Sequence, residues 1–199
     1  DFIDFDKDID VGVSSTVPIA DIHRALACDP DFETGPAPSE GDSTYWTRWR
    51  GKLVIDFFRC HEEPDHVWYQ IYVNGQLLRW LHAPFNLTDM KWHGITVRIP
   101  ENPEIFLVEE YGNGWRTPDP DFAQWACPNL AGGFGLSCRY MAHFDIFISL
   151  WRGHKTRALN QCRKALELAP GDAFLFELMR AFAVTPETGT RQDRQASSV

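Results

Sequence analysis

Residues 2–13 read Phe2-Ile3-Asp4-Phe5-Asp6-Lys7-Asp8-Ile9-Asp10-Val11-Gly12-Val13. Apolar and acidic residues alternate here with period two, the signature of a strand with one face buried and one face wet. Phe5, Ile9, Val11 and Val13 fall on the apolar face, which Lys7 interrupts. Asp4, Asp6, Asp8 and Asp10 fall on the other. Carboxylates at i and i+2 along a strand sit about 7 Å apart and repel one another. A solvated edge tolerates that repulsion. A divalent cation turns it into coordination.

A second strand pattern, Leu53-Val54-Ile55-Asp56-Phe57-Phe58, carries one carboxylate among apolar neighbours. A buried, unpaired carboxylate is costly. If this strand pairs beside the first, Asp56 joins Asp8 and Asp10 around one metal ion. Two carboxylates from one strand and a third from its neighbour form a scaffold for metal-assisted phosphoryl transfer. The alternative is an Asp56 that is simply exposed at a sheet edge. The D-x-D-x-D run also invites comparison with an EF-hand loop, which needs Gly at its sixth position and Glu at its twelfth. Counting from Asp4, those positions hold Ile9 and Ser15; counting from Asp6, they hold Val11 and Val17. Neither register fits.

Outward from these strands, Pro18 with Ile19, Ile22 and Leu26 predicts a helix over 18–28. Pro30, Gly35, Pro36, Pro38 and Gly41 make 29–44 a loop. Strands are expected over 52–60 and 66–73, the latter joined to 76–81 by the hairpin signal Asn74-Gly75. A further strand is expected over 91–99, and a helix from Pro103 through Glu110 that stops at Tyr111-Gly112. Residues 112–138 read as an ordered Gly-, Pro- and Trp-rich loop. Beyond residue 140 only helical patterns remain, and 185–199 are polar and aperiodic, a disordered tail. The expected organisation is therefore an α+β domain over 1–140, a helical segment over 141–184 and the tail. The start at Asp1, within a strand pattern, reads as a truncated amino terminus.

Composition narrows the function. With 44% hydrophobic and 24% charged residues in 199, the chain is globular rather than disordered. Its 28 acidic against 19 basic residues, a formal charge of −9, disfavour nucleic acid as a partner. No apolar run reaches membrane-spanning length, and no signal peptide is visible. Five widely spaced cysteines without a C-x-x-C pair read as free thiols of a reduced, cytoplasmic protein. Cys60, His61 and His66 lie close in sequence but match no standard zinc spacing.

The acidic strand resembles the aspartate motif of the LicD/fukutin family, an apolar-aromatic pair followed by D-x-D-I-D, a hydrophobic residue and Gly. Ile55-Asp56-Phe57-Phe58 is similar to the family's later I-D-I-F strand. Trp92 to Pro100 resembles its strand ending in V-P, and Phe106 to Pro118, with Tyr111-Gly112 and Trp115, resembles its L-x-x-x-Y-G-x-x-W-x-x-P ending. The three blocks lie in the family's order across about residues 1–125.

The resemblance implies a nucleotidyltransferase-like mixed sheet with flanking helices. It implies a transferase that moves a phospho-alcohol, such as phosphocholine or ribitol phosphate, from a CDP-alcohol donor to a glycan hydroxyl. The metal, Mg²⁺ or Mn²⁺, would be held by Asp8, Asp10 and Asp56, with Asp6 assisting and Lys7 near the donor phosphates. These three aspartates would be the catalytic residues, with Asp56 a candidate base. The Gly-rich turn that precedes the family's aspartate strand is absent, and Lys7 stands where bacterial members are often acidic. His61, His66 and His93 are further acid–base candidates, and Arg50, Arg98 and Arg116 candidate phosphate ligands. Trp46, Trp49, Trp68, Trp80, Trp92 and Trp115 are candidate platforms for a base or sugar. Animal relatives work in the Golgi lumen, where the sequon Asn86-Leu87-Thr88 would matter.

Residues 153–173 resemble the tail of a tetratricopeptide repeat. Ala158, Cys162, Ala165 and Leu166 fall on one helical face, Pro170 ends the helix, and Asp172 caps the next. A helical pair packed on the transferase is the simpler reading; a docking groove for a protein partner is the functional one. The competing functions are a D-x-D glycosyltransferase using a nucleotide sugar, and a non-catalytic relative acting as an interaction module.

Overall fold

The structure, a computed structural model, describes residues 8–39, 41–73 and 76–184. It mixes α and β. In chain order the elements are β1 (Asp8–Ser14), α1 (Ile19–Leu26), β2 (Phe32–Thr34), β3 (Thr44–Trp49), β4 (Leu53–Glu62), β5 (Val67–Val73), β6 (Gln76–His82), β7 (Leu87–Trp92), β8 (Ile95–Pro100), α2 (Pro103–Tyr111), α3 (Leu136–Trp151), α4 (Lys155–Leu168) and α5 (Ala173–Val184). Packing divides the chain between Ala142 and His143.

The first unit is built on a six-stranded sheet in the order β2-β3-β4-β5-β6, with β1 paired to β4. The β1–β4 pair is parallel; the other pairs in the sheet are antiparallel. A parallel pair needs a long crossover, and α1, β2 and β3 supply it. The alternation read from sequence survives in β1, where Asp8, Asp10, Gly12 and Ser14 are exposed and Ile9, Val11 and Val13 are half-buried. On the inner side Tyr45 and Thr47 are buried, and Tyr45 Oη lies 2.9 Å from Nδ1 of His23 on α1.

Two strands were not foreseen. β2 lies inside the stretch expected to be a loop, and β3 directly after it. Their partners lie elsewhere in the chain, Thr34 against Thr47 and Tyr45 against Phe57. The strand expected over 91–99 is instead a hairpin, β7 and β8, which turns at His93-Gly94. Both turn residues have positive φ, 44° and 85°. That backbone matches the twist of a two-residue hairpin, and Gly94 adopts it without a Cβ penalty. The Asn74-Gly75 hairpin signal and the 185–199 tail lie outside the described residues.

Residues 112–138 are held to β6. Leu81 N–H donates to Asn129 O (2.9 Å) and Ala131 N–H to Arg79 O (2.8 Å). Trp80, 1% exposed and stacked on Tyr69 with ring centroids 5.2 Å apart, anchors that seam. Trp125 is equally buried.

The second unit is helical. Ala158, Cys162 and Ala165 of α4 are fully buried, as their small size and spacing predict, and so is Leu175 of α5. Gln161 shares that face and accepts a hydrogen bond from Ser149 Oγ at 3.0 Å. α4 stops at Ala169-Pro170, and Asp172 Oδ1 accepts the Leu175 N–H at 3.1 Å, the expected cap of α5. Among the described residues no helix is long and apolar enough to cross a membrane.

Candidate functional site

The parallel register sets the acidic residues side by side. Asp10 stands directly across from Asp56, and Asp8 across from Val54. Residues in register on neighbouring strands lie about 4.8 Å apart and project to the same face. Asp56 therefore points the same way as Asp8 and Asp10, toward the exposed side of the sheet. On its other flank Asp56 faces Trp46, and Val54 faces Arg48. Two rows cross this face: Trp46, Asp56, Asp10 and Arg48, Val54, Asp8. The Arg48 guanidinium lies 5.6 Å from the Trp46 ring centroid. Asp4, Asp6 and Lys7 lie outside the described residues.

Asp56 is half-buried while Asp10 is exposed, a consequence of their strands' positions. β4 has neighbours on both edges, whereas β1 pairs only with β4 among the described residues. Burial raises the Asp56 carboxyl above the ordinary carboxylate value. A carboxyl raised on folding is more easily protonated folded than unfolded, so its ionisation costs stability. That cost is absent below the unfolded value, about pH 4, and complete above the folded one. Asp56→Asn is expected to melt above the wild type at about pH 7 in chelator, the gap closing as pH falls through the raised value toward about 4. Paired thermal melts across that range check it; a gap that widens on acidification would refute it.

Two carboxylates in register on adjacent strands suit a hard divalent cation. Mg²⁺ is commonly held by one or two protein carboxylates, with substrate phosphates and water filling the rest. The residues present fit such a site as a pair, Asp10 with Asp56. Asp8, one pleat along, does not complete a closed cluster: among the described residues no three His, Cys, Asp or Glu side chains stand close enough together to hold an ion.

The other candidates serve elsewhere. His61 stacks on Trp68 at 3.9 Å, and burial, helped by Arg59 and Arg79, lowers its pKa. His66 Nδ1 lies 2.7 Å from Asp65, and His93 forms the β7–β8 turn. Arg50 pairs with Asp31 and Arg116 with Glu104, while Arg98 faces Asp89 across the hairpin. Trp80 is core, and Trp115 packs under the Arg116 guanidinium at 4.3 Å. The five cysteines are free thiols. Burial pushes the Cys60 thiol up to about 11, so it is a poor ligand and nucleophile at neutral pH.

A second polar cluster went unread in the sequence. His82, whose side chain is fully buried, lies 3.2 Å from Glu109 through Nδ1 and 3.1 Å from Glu110 through Nε2. Glu110 also accepts hydrogen bonds from Tyr69 Oη (2.9 Å) and Asn129 Nδ2 (3.1 Å). Glu109 accepts the Ala83 N–H at 3.2 Å. The His82 ring stacks flat on Phe106, centroids 4.0 Å apart. Burial and the Glu110 charge push the Cys127 thiol up to about 12 and raise Tyr69 as well.

This cluster ties α2 to β6 and to the 127–130 segment. It also backs a cleft of about 160 Å³ whose wall includes Phe85, Phe106 and Glu109. One sequence signal pointed to it: Leu78, Trp80 and His82 share the buried parity of β6. A polar ring at a core position requires partners, but the sequence does not say which.

Comparison with protein-family models, with curated proteins and with solved structures finds no match to this chain.

Proposed function

We propose that this chain is a metal-dependent transferase that moves a phospho-alcohol from a cytidine-diphosphate donor to a glycan hydroxyl. It would do so on a nucleotidyltransferase-like sheet followed by a tetratricopeptide-like helical pair. The observation that carries this reading is the parallel register that sets Asp10 opposite Asp56 with Asp8 on the same exposed face.

In this reading Asp10 and Asp56 hold a Mg²⁺ or Mn²⁺ ion, with Asp8 beside them. The bound ion would neutralise charge on the donor diphosphate and orient it. Asp56 has a second use. The oxygen that it does not give to the ion would accept a proton, although a bound cation offsets the rise that burial causes in the metal-free carboxyl. An acceptor hydroxyl that surrenders its proton to Asp56 forms the new O–P bond at the distal phosphorus. The bond from that phosphorus to the bridging oxygen breaks, and cytidine monophosphate leaves. Arg48, on the same face, would meet phosphate oxygens, a role for which the sequence had offered Arg50, Arg98 and Arg116 as candidates.

Isothermal titration with CDP-choline, CDP-ribitol and UDP-sugars, each with and without Mn²⁺, tests the reading. Binding of a CDP-alcohol that requires Mn²⁺ is expected. Binding of UDP-sugars alone would favour a glycosyltransferase. No binding of any of them would leave an interaction module as the better account.

A further inference from the structure

We propose that the cleft beside α2 binds a small organic cation of the alkylammonium class. Its volume of about 160 Å³ is close to the roughly 150 Å³ of an apolar cavity that holds one benzene. Sites for larger ligands start at roughly 300 Å³. The cleft therefore admits a single head group rather than a nucleotide.

Two features set the class. The first is aromatic. Phe85 and Phe106 are half-buried and line the cleft. Their rings stand at 84° to each other with centroids 5.7 Å apart, so they form a corner of the wall. His82 stacks flat on Phe106 and holds that ring in place. A cation within about 6 Å of a ring centroid is attracted by the ring quadrupole, and quaternary ammonium groups suit such walls because they need no hydrogen-bond acceptors.

The second feature is charge. Glu101 and Glu109 line the cleft, and among the described residues no Lys, Arg or His does. Glu101 is exposed, and Glu109 keeps 27% of its side chain accessible. His82 does not cancel this charge: one imidazole, even when protonated, offsets only one of the two carboxylates that flank it. The other polar side chains in the wall, Asn86 and Asn102, are neutral. The start of α2 also borders the cleft, and a helix start favours anions with about half a positive charge. Pro103 has no N–H to offer there, and Ile105 N–H donates to Asn102 O at 3.1 Å. Two carboxylates outweigh what is left.

The cleft is separate from the Asp10–Asp56 face. His82, which backs it, pairs with Val67, and Val67 pairs with Glu62. Glu62 lies six residues beyond Asp56 along β4, about 20 Å at 3.3 Å per residue. The cation site therefore does not depend on the proposed transfer reaction.

Amide NMR shifts of the full chain, titrated with tetramethylammonium chloride against matched sodium chloride, test the site. Saturable shifts at Ala83, Phe85, Asn86 and Ile105 are expected, with a Kd of about a millimolar. The neutral tert-butanol, of similar size, is expected to bind at least about fivefold more weakly. Phe85→Leu keeps apolar bulk and loses the ring, and is expected to weaken binding about fivefold. Glu101→Gln, at an exposed position where the fold tolerates it, is expected to weaken binding about threefold. Asp10→Asn is expected to bind as wild type does. Recovery of the chain with phosphatidylcholine vesicles would assign the head group to a lipid, and its absence to a free solute. Shifts that sodium chloride reproduces, tert-butanol binding as tight as the cation's, unweakened Phe85→Leu and Glu101→Gln, or loss of binding in Asp10→Asn would each overturn the proposal.

Discussion

On the proposed function, Asp10→Asn is expected to lower phospho-alcohol transfer by about a thousandfold while leaving the fold intact. The first half follows from position. Asp10 is the carboxylate directly across from Asp56, so its removal dismantles the pair that would hold the cation. Metal stabilisation of a transferring phosphoryl group is worth several kcal/mol, and each 1.36 kcal/mol is tenfold in rate.

The second half follows from position on the sheet. Asp10 is exposed, and an isosteric change at an exposed position usually moves stability by no more than about 0.5 kcal/mol. Asp8 faces Val54 rather than a carboxylate, so Asp8→Asn should cost less activity. Transfer assays beside urea denaturation in chelator separate these effects. A destabilised Asp10→Asn would make the aspartate structural, and equal losses for both variants would mean that register does not rank them.

Glu110→Ala should cost about 3–5 kcal/mol, a large share of the stability of a domain this size. Glu110 is buried, and its two oxygens receive Tyr69 and Asn129 and face His82. Removing it strands the Tyr69 hydroxyl and leaves Asn129 and His82 with only each other and Glu109 as partners, and an unsatisfied buried polar group costs its full desolvation penalty. Glu110→Gln keeps an oxygen for Tyr69 but turns an amide toward Asn129 or His82, so a loss of about 1–3 kcal/mol is expected. Urea denaturation of the two variants checks the order. A loss below about 1 kcal/mol for Glu110→Ala would show the cluster to be dispensable.

The two clusters differ in how far the sequence revealed them. The aspartates were visible because alternation in a strand is local: parity alone assigns Asp8 and Asp10 to one face and Ile9, Val11 and Val13 to the other. Asp56 was visible as an anomaly, a charge in an apolar run. The His82 cluster was not, because its members come from β5, β6, α2 and the 127–130 segment, and each looks ordinary alone. The missed strands have the same cause. β2 is three residues long and Pro-flanked, and only its pairing with β3 makes it a strand. At His93-Gly94 the expected single strand breaks because the backbone reverses there, and Leu87 to Trp92 pair with Ile95 to Pro100.

By itself the amino-acid sequence determined which way side chains face within an element and where helices stop. The acid face of β1, the small-residue seam of α4 and the Asp172 cap all follow from backbone geometry over a few residues. Only the tertiary structure decided which elements became neighbours. It laid β1 parallel to β4, setting Asp10 beside Asp56, and gathered two glutamates around His82. Pairing across a long crossover is chosen by how the whole chain satisfies its buried apolar and polar groups at once, and no local pattern encodes that choice.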